Sequence, residues 1–243
     1  MRQAMVFWNP RSRHSHGESH RAEGLFLRET VFGANDGLVS NVSLVAGVAG
    51  ATADPNTVLL AGVAGLVAGA ISMSLGAYIS TKSERELRES EERRERWEVA
   101  HMPREERAEV RQIFREKGIS GPTLEAVVDQ VTSDQDQWVQ TMMRDELGFS
   151  EQPPRPTAAA MVMGIAFSLG ALFPVAPYLF LEKNAALILA VGLTAAALFG
   201  VGAWRAYLTS GNVWRKAFEM VGLAAVAVVA ANLIGRLVGV GIY

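Results

Sequence analysis

Five long apolar stretches alternate with short polar connections and one strongly charged segment along this chain of 243 residues. Each stretch has more than about 20 residues, the number that a helix needs to span the hydrocarbon core of a bilayer. The third and fourth stretches lack the polar stripe that a helix in a soluble bundle requires. The pattern therefore predicts five transmembrane helices, at residues 31–51, 57–79, 157–181, 185–208 and 217–240.

The charged segment lies between the second and third predicted spans. Residues 80–151 contain 18 of the 25 acidic residues and 12 of the 23 basic residues. The second span runs into this segment without a helix breaker, Pro103 then begins a further helix that ends near Gly118, and two shorter helical patterns follow. We therefore predict an all-α polytopic membrane protein with a cytosolic helical domain between spans two and three.

Basic residues in short connections indicate the orientation, because Lys and Arg favour the cytosolic side. The N-terminal tail carries five arginines, whereas the loop at 52–56 has no basic residue. We predict a cytosolic N-terminal tail over residues 1–28, transmembrane helices 1 and 2 over 29–79, the cytosolic helical domain over 80–156, and transmembrane helices 3 to 5 over 157–243. An Arg- and Ala-rich composition without a targeting segment favours a bacterial plasma membrane over a vacuolar membrane.

Asp36 is the costly residue of the first span, because a carboxylate in lipid costs about 2.5–3.5 kcal/mol on insertion scales. On a helix it shares one face with Ser40 and Ser43. A charged residue inside a membrane helix indicates a functional site. The alternative is a structural aspartate that pairs with Arg28 or caps an unwound turn.

The second span has a stripe of small residues on one helical face, and Met73 is the one soft ligand on it. Small residues allow two membrane helices to approach closely. The other members of the stripe are Gly62, Gly65, Gly69 and Gly76. We therefore expect Met73 to face a path that Asp36 also lines.

The charged segment contains carboxylates and methionines at helical spacing. Carboxylate and thioether ligands together suit a borderline ion such as Fe2+ better than Mg2+ or Ca2+. The alternative is a solvated acidic face with arginine partners and methionines in a core. Whether the pairs on the two sides of Pro103 align is left open by the sequence. The residues concerned are Glu95 with Glu98, Glu106 with Glu109, and Met142 and Met143 with Glu146.

The N-terminal tail contains the tract "HSHGESH", with His14, His16 and His20. Histidine-rich tracts can bind metal, but the alternative is a polar tail without a site. The chain has no cysteine, which excludes disulfides and thiolate metal sites. It also shows no nucleophile–base pair, phosphate-binding glycine loop or HExxH motif, so we predict that it is not an enzyme.

The first span, "RETVFGANDGLVSNVSLVAGVAGA", resembles the first-span signature of the vacuolar iron transporter family. The stretches "AGLVAGAISMSLGAYIS", "GALFPVAPYLF" and "LIGRLVG" are similar to its second, third and fifth spans. The resemblance covers about residues 25–243. It implies five transmembrane helices, a homodimer, and a cytosolic metal-binding domain.

The resemblance also implies a function. Members of the family move Fe2+, and sometimes Mn2+ and related ions, out of the cytosol in exchange for protons. We therefore expect divalent metal ions, protons, the lipid bilayer and a second copy of the chain as partners, and no nucleic acid. No prosthetic group is implied; Fe2+ is substrate and bound ion, with Zn2+, Co2+ or Mn2+ as alternatives.

The family's ligands match this chain residue by residue. Its transport-path ligands correspond to Asp36 and Met73, and its cytosolic ligands correspond to Glu95, Glu98, Glu106, Glu109, Met142, Met143 and Glu146. One position departs from the family, which commonly has a glutamate where this chain has Ala77. That departure puts proton coupling in question and favours an alternative, a membrane-anchored metal sensor or buffer without transport.

Overall fold

The computed structural model describes residues 16–149, 155–208 and 211–240, and within these ranges it contains helices and no strand. The prediction of an all-α fold is confirmed. A short 3-10 helix, Ala176–Leu179, follows the sixth of the α-helices. The α-helices in the described ranges are α1 (His16–Ala51), α2 (Pro55–His101), α3 (Pro103–Glu116), α4 (Gly121–Thr132), α5 (Gln135–Asp145), α6 (Pro156–Val175), α7 (Lys183–Leu208) and α8 (Val213–Val240).

Five of the described helical segments are long and apolar enough to cross a membrane, which confirms the prediction of a polytopic membrane protein. They are Leu27–Ala51 of α1, α2, Pro156–Leu179, Lys183–Tyr207 of α7 and Val213–Gly239 of α8. Helix α2 has 47 residues and is therefore about 70 Å long, more than twice the thickness of the bilayer core. Its first half is apolar and long enough to cross a membrane, and the part from Lys82 onward is charged.

The chain divides into two compact units. The described parts of Met1–Ala77 and Thr157–Tyr243 form what we call the membrane unit. The described part of Tyr78–Pro156 forms the helical unit. Each unit has its own hydrophobic core, so each positions its own set of candidate residues.

Helix α1 is the central element of the membrane unit, since it packs closely against four other helices. A Cβ added to Gly235 of α8 would overlap the backbone of Gly47 in α1, and one added to Gly37 in α1 would overlap the backbone of α6. Helix α7 joins α1 through a core that includes Leu38 and Leu198. Because glycines remove side chains at these crossings, backbones meet directly. This packing buries Asn41, a polar residue of α1 that is 2% exposed.

The helical unit is built by the charged half of α2 together with α3, α4 and α5. Its core consists of side chains from all four helices, including Val99, Val110, Val128 and Val139. Pro103 occupies the first turn of α3, where a missing backbone N–H costs nothing. Gly118 follows α3 with φ of 87°, a conformation that ordinary residues disfavour. The helix break at Pro103 agrees with the sequence prediction, and α3 packs with the end of α2 in this core.

Two predicted boundaries differ from the structure. Helix α1 begins at His16, so part of the predicted tail over residues 1–28 is helical, while residues 1–15 with His14 lie outside the described residues. The third span was predicted to extend to residue 181, but α6 ends at Val175 and continues as a 3-10 helix to Leu179. Pro174 and Pro177 explain the change, because proline removes a backbone donor and clashes with the preceding turn.

Candidate metal sites

Five glutamates of the helical unit form a group that we call the acidic cluster: Glu95, Glu98, Glu106, Glu109 and Glu146. Two of them are almost fully buried, with exposed fractions of 2% for Glu95 and 4% for Glu106. One oxygen of each, Oε2, has no hydrogen-bond partner among the residues that the structure describes. Buried carboxylate oxygens are normally paired, because an unpaired one loses its hydration without compensation. These two oxygens are therefore available to a ligand.

The carboxylates of the acidic cluster repel one another. Burial, and then the charges of Glu146 and Glu98, raise the pKa of Glu95 to about 7. Burial, and then the charges of Glu109 and Glu95, raise the pKa of Glu106 to about 7. The pKa of Glu146 is also raised, first by burial and then by Glu109. These interactions connect glutamates from α2, α3 and the end of α5, which settles the alignment across Pro103 that the sequence left open.

One arginine partly neutralises the acidic cluster. Arg94 lies 3.6 Å from Glu98, between Nε and Oε2, and 3.9 Å from Glu95, between Nη2 and Oε1. A shorter contact of 3.0 Å joins it to Glu91, outside the cluster. Its side chain is about half exposed. Because Arg94 is solvated and supplies one positive charge beside five glutamates, we expect the cluster to favour a further cation.

The two methionines lie in the core of the helical unit. Met142 is fully buried and Met143 is 5% exposed, and both pack with valines of α2, α3 and α4. The backbone N–H of Glu146 donates to the carbonyl oxygen of Met142 at 3.0 Å, which fixes that glutamate one turn further along. The structure thus places these methionines as core residues, and their role as sulfur ligands stays a prediction.

The acidic cluster does not have the geometry of a closed metal site. Within the described ranges, no three or more His, Asp or Glu side chains are arranged so that they could hold a metal ion together. Mutual repulsion explains this, since like-charged carboxylates separate when nothing bridges them. Binding of an ion there requires the side chains to move closer.

The membrane unit contains a cavity of about 250 Å³ that brings Asp36 and Met73 together; we call it the membrane cavity. Helix α1 contributes four residues, α2 contributes four, and α6 contributes one. The lining residues are Asp36, Ser40, Asn41, Leu44, Gly65, Gly69, Ser72, Met73 and Phe167. Ser43, which the helical pattern placed beside Asp36, does not line the cavity. Asp36 of α1 and Met73 of α2, which were predicted to line a common path, therefore line one space.

Neither structural alternative for Asp36 agrees with the structure. The guanidinium of Arg28 pairs with Glu29 at 3.1 Å, between Nη2 and Oε1. Helix α1 continues through Asp36 without an unwound turn. The backbone carbonyl of Asp36 accepts a hydrogen bond from the Ser40 hydroxyl at 2.5 Å, and Asp36 is one of the residues that line the cavity.

Two buried polar residues of α1 were not among the predicted site residues. Glu29 is 4% exposed, and it precedes Asp36 by seven residues, which places both on one face of α1. Asn41 is 2% exposed and lines the membrane cavity. The sequence could have indicated both, because a polar side chain inside an apolar helix requires a partner. What the sequence lacked was the identity of those partners.

Comparison with known proteins gives one family and a consistent set of relatives. The model of the VIT family matches residues 27–236. Vacuolar iron transporter 1 of Arabidopsis thaliana is 36% identical over 225 residues, covering 92% of this chain and 90% of that protein. Vacuolar iron transporter 1 of Oryza sativa subsp. japonica is 34% identical over 222 residues, covering 90% of this chain and 88% of that protein. The matched range includes both the acidic cluster and the membrane cavity.

Proposed function

Since the chain belongs to the VIT family, we propose that it transports divalent iron across a membrane, out of the cytosol and in exchange for protons. Membership in a transporter family agrees with the prediction that the chain is not an enzyme. The relatives are named vacuolar iron transporters, which supports iron as the cargo. Mn2+, Zn2+ and Co2+ are the competing ions, and no prosthetic group takes part.

The observation that carries the proposal is the shared cavity of Asp36 and Met73. A carboxylate facing a thioether favours a borderline ion such as Fe2+ over Mg2+ or Ca2+. The cavity volume of about 250 Å³ exceeds the roughly 30 Å³ share of one water several-fold, so an ion and some of its water fit. Asp36 supplies the negative charge that attracts a cation to this space, and Met73 supplies the preference for Fe2+ over Mg2+ or Ca2+.

The acidic cluster has a separate role in the proposal, which is to capture the ion before transport. A divalent ion there relieves the repulsion among the glutamates and pairs the free oxygens of Glu95 and Glu106. Carboxylates must lose their protons to bind metal, so capture releases protons. Capture is therefore expected to depend on pH near neutrality.

The orientation and the assembly are also part of the proposal. The arginine-rich N-terminal end and the helical unit face the cytosol, two copies form a homodimer, and a bacterial plasma membrane is the location. Cysteines introduced singly by Ser133→Cys and Ala53→Cys, both at exposed sites, test the orientation. An impermeant thiol reagent added outside intact cells should label the second variant and spare the first; the reverse labelling contradicts the orientation.

Transport itself is tested with purified protein in liposomes under an imposed pH gradient. We expect Fe2+ flux that reverses direction when the gradient is reversed. Met73→Ala should keep some flux but lose the preference for Fe2+ over Mn2+, while Met161→Ala, at a lipid-exposed methionine of α6, should keep both. A gradient that changes neither the rate nor the direction contradicts proton exchange.

One observation favours the sensor or buffer as a second candidate. No acidic residue occurs from Asn56 to Ser83, and α2 contributes only Gly65, Gly69, Ser72 and Met73 to the cavity wall. The cavity therefore has one carboxylate per chain. Metal binding without any flux in the wild-type protein would favour the sensor, and Ala77→Glu would be the first variant to test for restored transport.

A further inference from the structure

Asn41 is held in one orientation by two other helices. Its Nδ2 donates to the carbonyl oxygen of Ala171 in α6 at 3.0 Å and to that of Gly62 in α2 at 3.3 Å. Both partners are acceptors only, so the NH2 group, and not the oxygen, must face them. The two amide hydrogens are thereby used, and the remaining polar atom, Oδ1, is directed away from both carbonyls.

The amide oxygen lies at the wall of the membrane cavity. A Cβ added to Gly65 would be 2.9 Å from Oδ1 of Asn41, so this oxygen is next to Gly65, itself a lining residue. Glycine at position 65 has no side chain to cover this oxygen, and the atom nearest to that Cβ position is Cδ2 of Leu44, another lining residue. Asn41 is 2% exposed and is itself one of the residues that line the membrane cavity.

Another interhelical amide of the membrane unit makes a simpler arrangement than Asn41. Asn232 of α8 provides the comparison, since its Nδ2 donates to the carbonyl oxygen of Ala46 in α1 at 2.8 Å. Asn232 joins two helices with one bond and does not line the membrane cavity. Asn41 joins three helices, and its two bonds fix the orientation of its amide. A fixed carbonyl oxygen is the feature of a ligand, because orientation lowers the cost of binding.

We propose that Asn41 is a selectivity residue of the membrane cavity, whose Oδ1 coordinates the divalent cation between Asp36 and Met73. This inference rests on the proposed transport function and deepens it. A neutral oxygen adds a ligand without adding charge, so the ion is held and can still leave. The set of one carboxylate, one amide oxygen and one thioether is softer than an all-carboxylate set, and it favours Fe2+ over Mn2+. In this chain the amide offsets part of the missing carboxylate of α2.

The test compares variants of the full-length protein in liposomes, with flux of Fe2+ and Mn2+ as the readout. Asn41→Leu removes both the oxygen and the donors, and should raise the KM for Fe2+ at least tenfold. Asn41→Asp keeps an oxygen but loses the donors, and should restore the KM to within about threefold while shifting preference toward Mn2+ at least threefold. A merely structural Asn41 predicts that both variants fail alike, since both lose the donors.

Asn232→Leu is the matched control, because it removes an interhelical amide bond outside the cavity. It should lower the melting temperature without changing the KM or the ratio of Fe2+ to Mn2+ flux. If Asn41→Leu leaves the KM and the ratio within twofold of wild type, or if Asn232→Leu shifts them equally, Asn41 is not a ligand. If Asn41→Leu does not fold, the shift of preference in Asn41→Asp decides the question.

A second measurement separates failure of this inference from failure of the proposed function. In detergent, Co2+ binding is measured in a Glu106→Gln background, which weakens the acidic cluster. If the wild-type protein gives no flux, transport is contradicted, but binding that depends on Asp36 and weakens tenfold in Asn41→Leu still supports the ligand. The inference is overturned if Co2+ affinity is unchanged in Asn41→Leu. It is also overturned if no part of the Co2+ binding depends on Asp36.

Discussion

The acidic cluster of the helical unit contains five glutamates, whereas the membrane cavity contains one aspartate among neutral side chains. In the cluster, repulsion is high and two buried oxygens have no partner among the described residues. In the cavity, a single carboxylate faces a methionine and an oriented amide. Under the proposed function, the cluster retains an ion and the cavity lets it pass, because charge strengthens binding and slows release.

The largest expected effect comes from a variant that removes charges from the acidic cluster and leaves the membrane cavity unchanged. Replacing four glutamates by glutamine should weaken Co2+ binding by roughly a hundredfold or more, because the ion loses most of its charged ligands. The measurement is calorimetry on the full-length protein in an Asp36→Asn background. The four positions are Glu95, Glu98, Glu106 and Glu109.

The matched control replaces four exposed glutamates of the same helical unit by glutamine. They form no part of the acidic cluster, so the affinity should stay within about twofold of the parent. Equal weakening in both variants would reduce the cluster to a nonspecific acidic surface. The control positions are Glu84, Glu86, Glu89 and Glu116.

The second prediction concerns pH, and it gives opposite signs for binding and for stability. Because the pKa values of Glu95 and Glu106 are raised to about 7, metal must displace their protons below that pH. Affinity should therefore fall by roughly tenfold per pH unit for each proton displaced. The cavity, which lacks such a cluster, should not contribute this dependence to binding measured in the Asp36→Asn background.

Stability of the metal-free protein should change in the other direction. In the unfolded chain these glutamates titrate near 4.5, so between about pH 4.5 and 7 the folded state binds more protons. Acidification from pH 7.5 to 5.5 should raise the melting temperature, and the gain should be lost as pH rises through 7. Glu95→Gln with Glu106→Gln should remove most of the dependence; an unchanged dependence in that double variant contradicts the assignment.

The third prediction concerns the space in the membrane cavity. A Cβ on Gly65 would overlap Leu44 and lie 2.9 Å from Oδ1 of Asn41, while a Cβ on Gly76 would meet nothing within 4 Å. Overpacking costs about 1–3 kcal/mol, so Gly65→Ala should lower Fe2+ flux by roughly tenfold. Gly76→Ala should keep wild-type flux in the same liposome assay. Equal flux in the two variants would mean that the ion does not use this cavity.

The smallest expected effect concerns the buried methionines of the helical unit. Met142→Leu and Met143→Leu keep the core filled, so the cost in stability should stay below about 1.5 kcal/mol. If sulfur coordinates the ion, Co2+ affinity should fall several-fold while Mn2+ affinity is unchanged. Met102→Leu, at a 41% exposed methionine, is the control. Unchanged Co2+ affinity in Met142→Leu and Met143→Leu would mean that these residues only pack in the core and do not bind the ion.

The sequence predicted the helices more completely than the contacts between them. Helix α4, Gly121–Thr132, is one of the two shorter helices that the sequence predicted, because turn residues and apolar spacing are local signals. The shared cavity of Asp36 and Met73 followed from faces of two neighbouring helices. The 3-10 ending of the third span was missed, although Pro174 and Pro177 are visible in the sequence.

Contacts between distant segments could not be predicted in the same way. Asn41 bonds to Ala171, 130 positions away, and no local pattern identifies that carbonyl. The coupling of Glu95 with Glu106 depends on how α3 folds back after Pro103, which changes the helical phase by an amount that spacing does not give. Burial of Glu29 likewise depends on what packs over it.

The most direct test of the division of roles measures Fe2+ flux and bound Fe2+ on the same liposomes. Asp36→Asn removes the charge with little change of shape. Asp54→Asn is the control, because it makes the same change in the loop before α2. Asparagine can also cap the helix there, so the local structure should be kept. We predict that Asp36→Asn abolishes flux and keeps the ion bound to the acidic cluster, while Asp54→Asn keeps both. Wild-type flux in Asp36→Asn would contradict the account.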